Sequence, residues 1–305
     1  MKATAVAHAN IALVKYWGKR DDMLVLPQAS SLSVALDKLR TTTTVELDAR
    51  EDSFELDGAA ADGARVRILL DAAGIREKAR VVSRNDFPTA AGLASSASGF
   101  AALAVAACSA AGQQRTIAEL SALARLGSGS AARSVPGGWA VWEGDSARQV
   151  FPESHWDLRF CVAICAAGPK MTGSRDGMWR SRETSPYHSA WIEQCRRDLP
   201  QALAVLKRRD LPGLGALAER NALRMHADAM AADPPLLYWE PATLACLREL
   251  QSEPRSAWPT IDAGPHVVAI CAAADAQQVE TRLRSISGVK DVIVCAAAGG
   301  ARLVP

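Results

Sequence analysis

Asp86-Phe87-Pro88-Thr89-Ala90-Ala91-Gly92-Leu93-Ala94-Ser95-Ser96-Ala97-Ser98 is a loop of small residues that opens onto a long Ala-rich helix ending near Gly112. Small side chains let the backbone approach a ligand closely. The helix that follows presents free N–H groups and the positive end of its dipole. Together these make an anion site suited to phosphate. Ser95, Ser96 and Ser98 add hydroxyls for phosphate oxygens or a divalent cation. The stretch is not a Walker A loop, because no G-x-x-x-x-G-K-[ST] occurs. A tightly packed, serine-capped helix start would use the same residues, and composition leaves both readings open.

Working outward, the first 60 residues are β-rich. Thr41-Thr42-Thr43-Thr44-Val45-Glu46-Leu47 has strong β propensity, and Asp57-Gly58 marks a turn. Residues 64–79 read as a helix, with Val81-Val82 opening the next strand. Downstream, Thr116-Ile117-Ala118-Glu119 fits a capping box. Ile117, Leu120, Leu123 and Ala124 then recur with helical spacing until Gly127-Ser128-Gly129-Ser130 stops the helix. Gly137-Gly138 leads into a strand at Trp139-Ala140-Val141-Trp142. The pattern restarts after His155 with a buried strand at 158–166, and helices fill 186–230. The end reads strand, helix, strand over 266–272, 276–286 and 289–298. This alternation predicts an α/β (α+β) chain. Its 305 residues allow two packed domains, 1–154 and 155–305.

Apolar residues make up 49% and charged residues 22% of the chain, with a formal net charge of +2. That is ordinary globular composition. No basic run with interleaved aromatics occurs, so nucleic acid is not an expected partner. The longest apolar run, from Phe100 to Cys108, is far short of the roughly 20 residues that span a bilayer. Met1-Lys2-Ala3-Thr4 has neither a signal-peptide core nor transit-peptide character, and a cytoplasmic location is expected. Seven cysteines without a C-x-x-C predict reduced core residues rather than disulfides or a zinc cage. The five histidines lie far apart with no H-E-x-x-H, so no protein-ligated transition metal is expected.

Three further stretches carry candidate chemistry. Gly127-Ser128-Gly129-Ser130-Ala131-Ala132-Arg133-Ser134 has the letters of a dinucleotide fingerprint but follows a helix rather than a strand. It still offers two hydroxyls, and a guanidinium able to bind phosphate or carboxylate through two donors. Asn10-Ile11-Ala12-Leu13-Val14-Lys15-Tyr16-Trp17-Gly18-Lys19-Arg20 sets two lysines four apart around Tyr16 and Trp17, which suits a polyanion. In Thr260-Ile261-Asp262-Ala263-Gly264-Pro265-His266, an aspartate closes a hydrophobic run before a Gly-Pro turn. Each has a plainer alternative: a polar turn, a solvated strand end and a turn-capping aspartate. His266 reads as a polar turn residue and His226 as a packed helical one. In sum, two anion loops, a lysine pair and an isolated Asp suit phosphoryl transfer, where catalysis is mainly positioning and charge neutralisation.

These same blocks carry a family resemblance. Residues 10–21, residues 87–100, and Gly127 to Ser134 followed by Gly137-Gly138 resemble the first three signature blocks of mevalonate diphosphate decarboxylases. Asp262-Ala263-Gly264-Pro265 is similar to their C-terminal block. Asn221-Ala222-Leu223-Arg224-Met225-His226-Ala227 and Pro234-Pro235 look like the bacterial members. The blocks run in family order across nearly the whole chain. The resemblance implies a GHMP kinase-like two-domain fold. Its N-terminal, ATP-binding domain would be ribosomal-protein-S5-like and its C-terminal domain ferredoxin-like, with the site in the cleft between them.

The implied activity is ATP-dependent decarboxylation of (R)-5-diphosphomevalonate to isopentenyl diphosphate, with ATP and Mg²⁺ required and a homodimer expected. By resemblance, Asp262 would accept the 3-hydroxyl proton. Lys15 would stand beside it and the transferring phosphoryl group, where an ammonium favours an ionised carboxylate. Arg133 would hold the substrate carboxylate with Asn10 alongside. Tyr16, Lys19, Ser128 and Ser130 would meet the diphosphate arm. Gly92, Leu93, Ala94, Ser95, Ser96 and Ser98 would wrap the ATP phosphates, with Ser95 or Ser96 nearest Mg²⁺. Mg²⁺ itself would be held mainly by phosphate oxygens and water. The chain departs from the family at Ala29 and His266, where Asn is common, and after Lys170, where M-T-G-S-R-D-G-M matches a Ser/Thr-rich stretch only loosely. Three alternatives follow: a decarboxylase of mevalonate 5-phosphate or a related phosphorylated 3-hydroxy acid, a GHMP small-molecule kinase without decarboxylation, and a silent binding protein.

Overall fold

From Thr41 to Leu47, buried and half-buried positions alternate, as they must in a strand with one face in a core. From Ser31 to Leu36 the same strand is buried at every position, because this half is covered on both faces. The computed structural model describes residues 1–87, 95–168 and 170–304. It makes Ser31–Leu47 one long strand, paired antiparallel with Lys2–Val14 in a register that sets Thr4 opposite Thr44 and Ile11 opposite Val34. The register shifts between His8 and Asn10. Such a bulge re-aims the residues that follow it.

Among the described residues the first sheet has eight strands. Ala79–Asn85, Ser53–Leu56 and Ala59–Ala60 continue it on one side, and Trp139–Glu143 with Ser146–Phe151 extend the Ser31 end. The last strand, Arg302–Val304, returns to pair with Lys2–Val14. A second, four-stranded antiparallel sheet runs Ala257–Thr260, Val267–Ala272, Leu158–Ile164, Asp291–Cys295. The sheets share a core: Leu13, Leu36 and Trp139 of the first belong to one buried cluster with Phe160 and Ile270 of the second, and with Leu206 and Leu214 of the helices between. The helix Ser95–Ala110 is buried nearly all round. Alanines at 97, 101, 104 and 107, all fully buried, let it lie close against its neighbours.

The capping box at Thr116 forms as expected, with Glu119 Oε2 accepting from the Thr116 N–H at 2.8 Å and Thr116 Oγ1 accepting from the Glu119 N–H at 3.3 Å. The helix expected over 64–79 stops earlier, spanning Ala64–Ala72. Gly74 follows at φ +78°, a left-handed turn-out that glycine supplies at no steric cost. The helical stretch 186–230 divides into His188–Arg208 and Leu211–Met230, with Asp210 Oδ1 accepting from Gly213 N–H at 2.9 Å. Two helices had no expectation, Ser174–Thr184 and Pro241–Gln251. The first hides behind Gly177, a poor helix former that is needed there because a Cβ would fall 2.3 Å from the Tyr238 hydroxyl. No helix among the described residues is long and apolar enough to cross a membrane. All seven cysteines are free and buried.

Candidate active site

Lys15 comes directly after the strand Lys2–Val14, and Asp262 stands two residues past Ala257–Thr260. The strands belong to different sheets, yet Lys15 Nζ lies 2.6 Å from Asp262 Oδ1 and 2.7 Å from the Ala12 carbonyl oxygen. Lys15 is only 2% exposed. Burial therefore pushes its ammonium below the usual lysine range, and the Asp262 carboxylate opposes that fall. The Asp262 side chain is 31% exposed and lines a cavity of about 650 Å³. It cannot be the solvated turn cap that its local sequence also allowed.

Arg133 lies in the short helix Ala131–Ser134 on the same cavity. Its Nε donates to Asn10 Oδ1 at 3.2 Å and its Nη1 to Ser31 Oγ at 2.8 Å. Burial lowers the guanidinium to about 10, against the pull of Asp262. Asn10, just past the bulge, does not line the cavity. Its amide donates to the Ser130 carbonyl at 3.0 Å and to Ser134 Oγ at 2.7 Å, so it holds Arg133 in place from behind.

The remaining expected residues separate into three groups. Tyr16, Lys19, Ser95, Ser96, Ser128 and Ser130 all line the cavity. Ser128 Oγ is 3.1 Å from Ser96 Oγ and 3.3 Å from Ser130 Oγ, so the head of the 95–110 helix and the Gly-Ser turn meet in a row of hydroxyls. The Tyr16 hydroxyl is buried with no hydrogen-bond partner among the described residues, and burial raises its phenol well above the usual range. Gly129 admits it, since a Cβ there would fall 2.7 Å from the Tyr16 ring. Lys19 is neither solvated nor free: Nζ pairs with Asp22 Oδ1 at 2.5 Å, and Asp22 also holds Arg182 at 2.9 Å. Ser98 is the exception. Its hydroxyl is fully buried between Thr41 Oγ1 at 2.6 Å and the Ser95 carbonyl at 3.2 Å, turned into the fold instead of toward a ligand. Gly92, Leu93 and Ala94 lie outside the described residues.

Local sequence missed three cations. Lys170 Nζ donates to the Ala263 carbonyl and to Ser174 Oγ, each at 2.6 Å. Burial lowers it to about 8, with Asp262 opposing. Its only signal was its place at the head of the loosely matched 171–178 stretch. Arg65 and Arg175 also line the cavity. The Arg65 guanidinium lies 5.2 Å from the Phe100 ring centroid and nothing in its surroundings marked it, while Arg175 belongs to the same 171–178 stretch. His266 corrects an expectation: it is 6% exposed and its Nδ1 accepts from the Cys165 N–H at 3.1 Å, a packed residue rather than a polar turn.

The cavity therefore gathers Lys15, Arg133, Lys170, Arg65, Arg175 and Lys19 around Asp262. Partly desolvated cations focused in one cleft attract a polyanion. Lys170 is charged below about pH 8, so the free protein's kcat/KM should fall as pH rises through that value. Lys170→Arg should move the fall to higher pH, and a kcat/KM–pH profile of both proteins checks this.

The chain's likenesses agree with this chemistry. Residues 7–151 match the family described as diphosphomevalonate decarboxylase-like N-terminal domain, and 160–299 match the mevalonate 5-diphosphate decarboxylase C-terminal domain. Human diphosphomevalonate decarboxylase is 37% identical over 306 residues, covering 87% of this chain and 75% of the human one. The solved mevalonate diphosphate decarboxylase from Staphylococcus aureus superposes with a TM-score of 0.92 at 35% identity, over 100% of this chain and 98% of that one. A structure described as MDDEF in complex with MVAPP, AMPPCP and magnesium gives 0.92 at 38%, over 100% and 99%. With both halves matched in order and the cationic cleft between them, this chain belongs to the mevalonate diphosphate decarboxylase family.

Proposed function

We propose that this chain converts 5-diphosphomevalonate and ATP to isopentenyl diphosphate, ADP, phosphate and CO₂. The observation that carries the reading is the buried Lys15 ammonium 2.6 Å from the Asp262 carboxylate, with the Arg133 guanidinium on the same cavity. A tertiary hydroxide is a poor leaving group, so the 3-hydroxyl is first phosphorylated by ATP. Asp262 accepts its proton as the new O–P bond forms and the bond from the γ-phosphorus to ADP breaks, ADP leaving with that electron pair. Lys15 and Lys170 neutralise charge on the transferring phosphoryl group. Phosphate then leaves with its C–O electron pair, while the C–C pair to the carboxylate becomes the alkene and CO₂ departs. Arg133 aligns that carboxylate through its planar fork. Tyr16, Ser128 and Ser130 offer donors to the phosphate arm. A related structure is described with MVAPP, AMPPCP and magnesium, which supports these ligands here.

Mg²⁺ fits the donor set. No cluster of three or more His, Cys, Asp or Glu side chains able to hold a metal occurs among the described residues, whereas the serine hydroxyls at the head of the 95–110 helix suit a hard cation carried largely by phosphate oxygens. Bound there with ATP, Mg²⁺ would offset phosphate charge, with Ser95 or Ser96 nearest. By family likeness, the chain works in the cytoplasm as a homodimer.

One observation favours mevalonate 5-phosphate as the substrate instead: the Lys19 ammonium, suited to a distal phosphate, is already paired with Asp22. The deciding assay supplies ATP, Mg²⁺ and each mevalonate phosphate, and measures ADP and CO₂ separately. Equal ADP and CO₂, with diphosphomevalonate preferred, is the expected result. ADP without CO₂ identifies a kinase.

A further inference from the structure

The helix Leu211–Met230 supplies no group to the proposed chemistry, yet it grips both members of the Lys15–Asp262 pair by their backbones. Asn221 Oδ1 accepts from the Lys15 N–H at 2.8 Å, and its amide donates to the buried Asp198 carboxylate at 2.8 Å. Five residues later, His226 Nε2 lies 3.1 Å from the Asp262 carbonyl oxygen. Positions five apart are turned by about 140° around a helix axis, so the two side chains leave it on different sides. One meets the first sheet's strand end and the other the second sheet's loop. Both residues are buried, at 0% and 1% exposure.

We infer that His226 is a positioning residue for Asp262: its Nε2–H holds the Asp262 backbone so that the carboxylate meets the Lys15 ammonium. This rests on Asp262 being the base proposed above. The partner is a carbonyl, so Nε2 must carry the proton. Burial lowers the imidazole to about 3, which keeps the ring neutral and leaves that proton as its single N–H. The ring is fixed by its neighbours, with centroids 5.1 Å from Trp239 and 6.1 Å from Tyr238. Lys170 pins the next carbonyl, that of Ala263. The base is thus set by anchors on two successive carbonyls, its own and the next, and neither anchor hydrogen-bonds the carboxylate.

The test compares His226→Gln, whose amide can reach the same carbonyl, with His226→Asn, which is too short, and His226→Phe, which fills the space without a donor. A displacement of about 1 Å at a reacting group costs about 10²-fold. The Asn and Phe variants should therefore lose about that much kcat with little change in either KM, and Gln should restore most of it. In an Asp262→Asn background, His226→Phe should cost nothing more, because the two act through one group. Equal turnover in the Gln and Asn variants overturns the inference even if the Phe variant does not fold. So does a further loss in the double variant. If Asp262→Asn alone retains turnover, it is the base assignment that fails.

Discussion

Asp262→Asn should bind ATP and the phosphorylated acid normally and lose turnover by about 10²–10⁴-fold, the contribution of a positioned acid–base group. The substitution keeps the shape of the side chain. It also leaves the loop's anchors intact, because His226 and Lys170 hold main-chain carbonyls rather than the carboxylate. What disappears is the proton acceptor and the anion facing Lys15. The Lys15 ammonium then keeps the Ala12 carbonyl and faces a neutral amide in place of an anion, so its already lowered affinity for a proton should fall further. Both steps of the proposed reaction suffer, and ADP and CO₂ should disappear together. Nucleotide affinity, read by titration with a non-hydrolysable ATP analogue, should be unchanged. Near-parental turnover with intact binding would refute the role of Asp262.

Much of this site was legible because its parts are local. The serines that open the 95–110 helix, the Gly-Ser turn at 127–130 and the lysine pair at 15 and 19 each declare a chemistry within a dozen residues. The same holds for the fold: the β propensity of Thr41 to Leu47 and the capping box at Thr116 depend on neighbours in sequence, and the structure has the strand and the cap. What could not be read depends on distance along the chain. Lys170 reaches the site only because Ala263, 93 residues later, presents its carbonyl. Asn221 matters because Lys15, 206 residues earlier, presents its N–H. Ser98 carries the opposite lesson. By type it matched Ser95 and Ser96, but helical rotation turned it toward Thr41 and away from the cavity. Gly177 broke the local helix signal for a reason that lies at Tyr238, 61 residues on.

Arg133→Lys should lower kcat/KM for the acid substrate by about 10²–10³-fold, the range seen when one preorganised donor to developing charge is removed, while ATP affinity stays the same. The charge is conserved, so any loss reports geometry. Arg133 uses Nε on Asn10 and Nη1 on Ser31 to fix its plane, and among the described residues no protein acceptor takes Nη2. A lysine has a single nitrogen at its tip. If it reaches the substrate, Asn10 and Ser31, at 3% and 0% exposure, lose a partner, at about 1–3 kcal/mol for each buried group left unmet. If it stays with them, the substrate carboxylate loses its clamp. The variant should consequently melt at a lower temperature as well as turn over slowly. Binding separates the two effects. An analogue of the substrate lacking the carboxylate should bind parent and Arg133→Lys with the same Kd, whereas the carboxylated substrate should bind the variant more weakly. Equal weakening of both ligands would place Arg133 in the phosphate pocket instead, and the carboxylate would then need another partner among the cavity cations, of which Lys170 already faces the Asp262 loop.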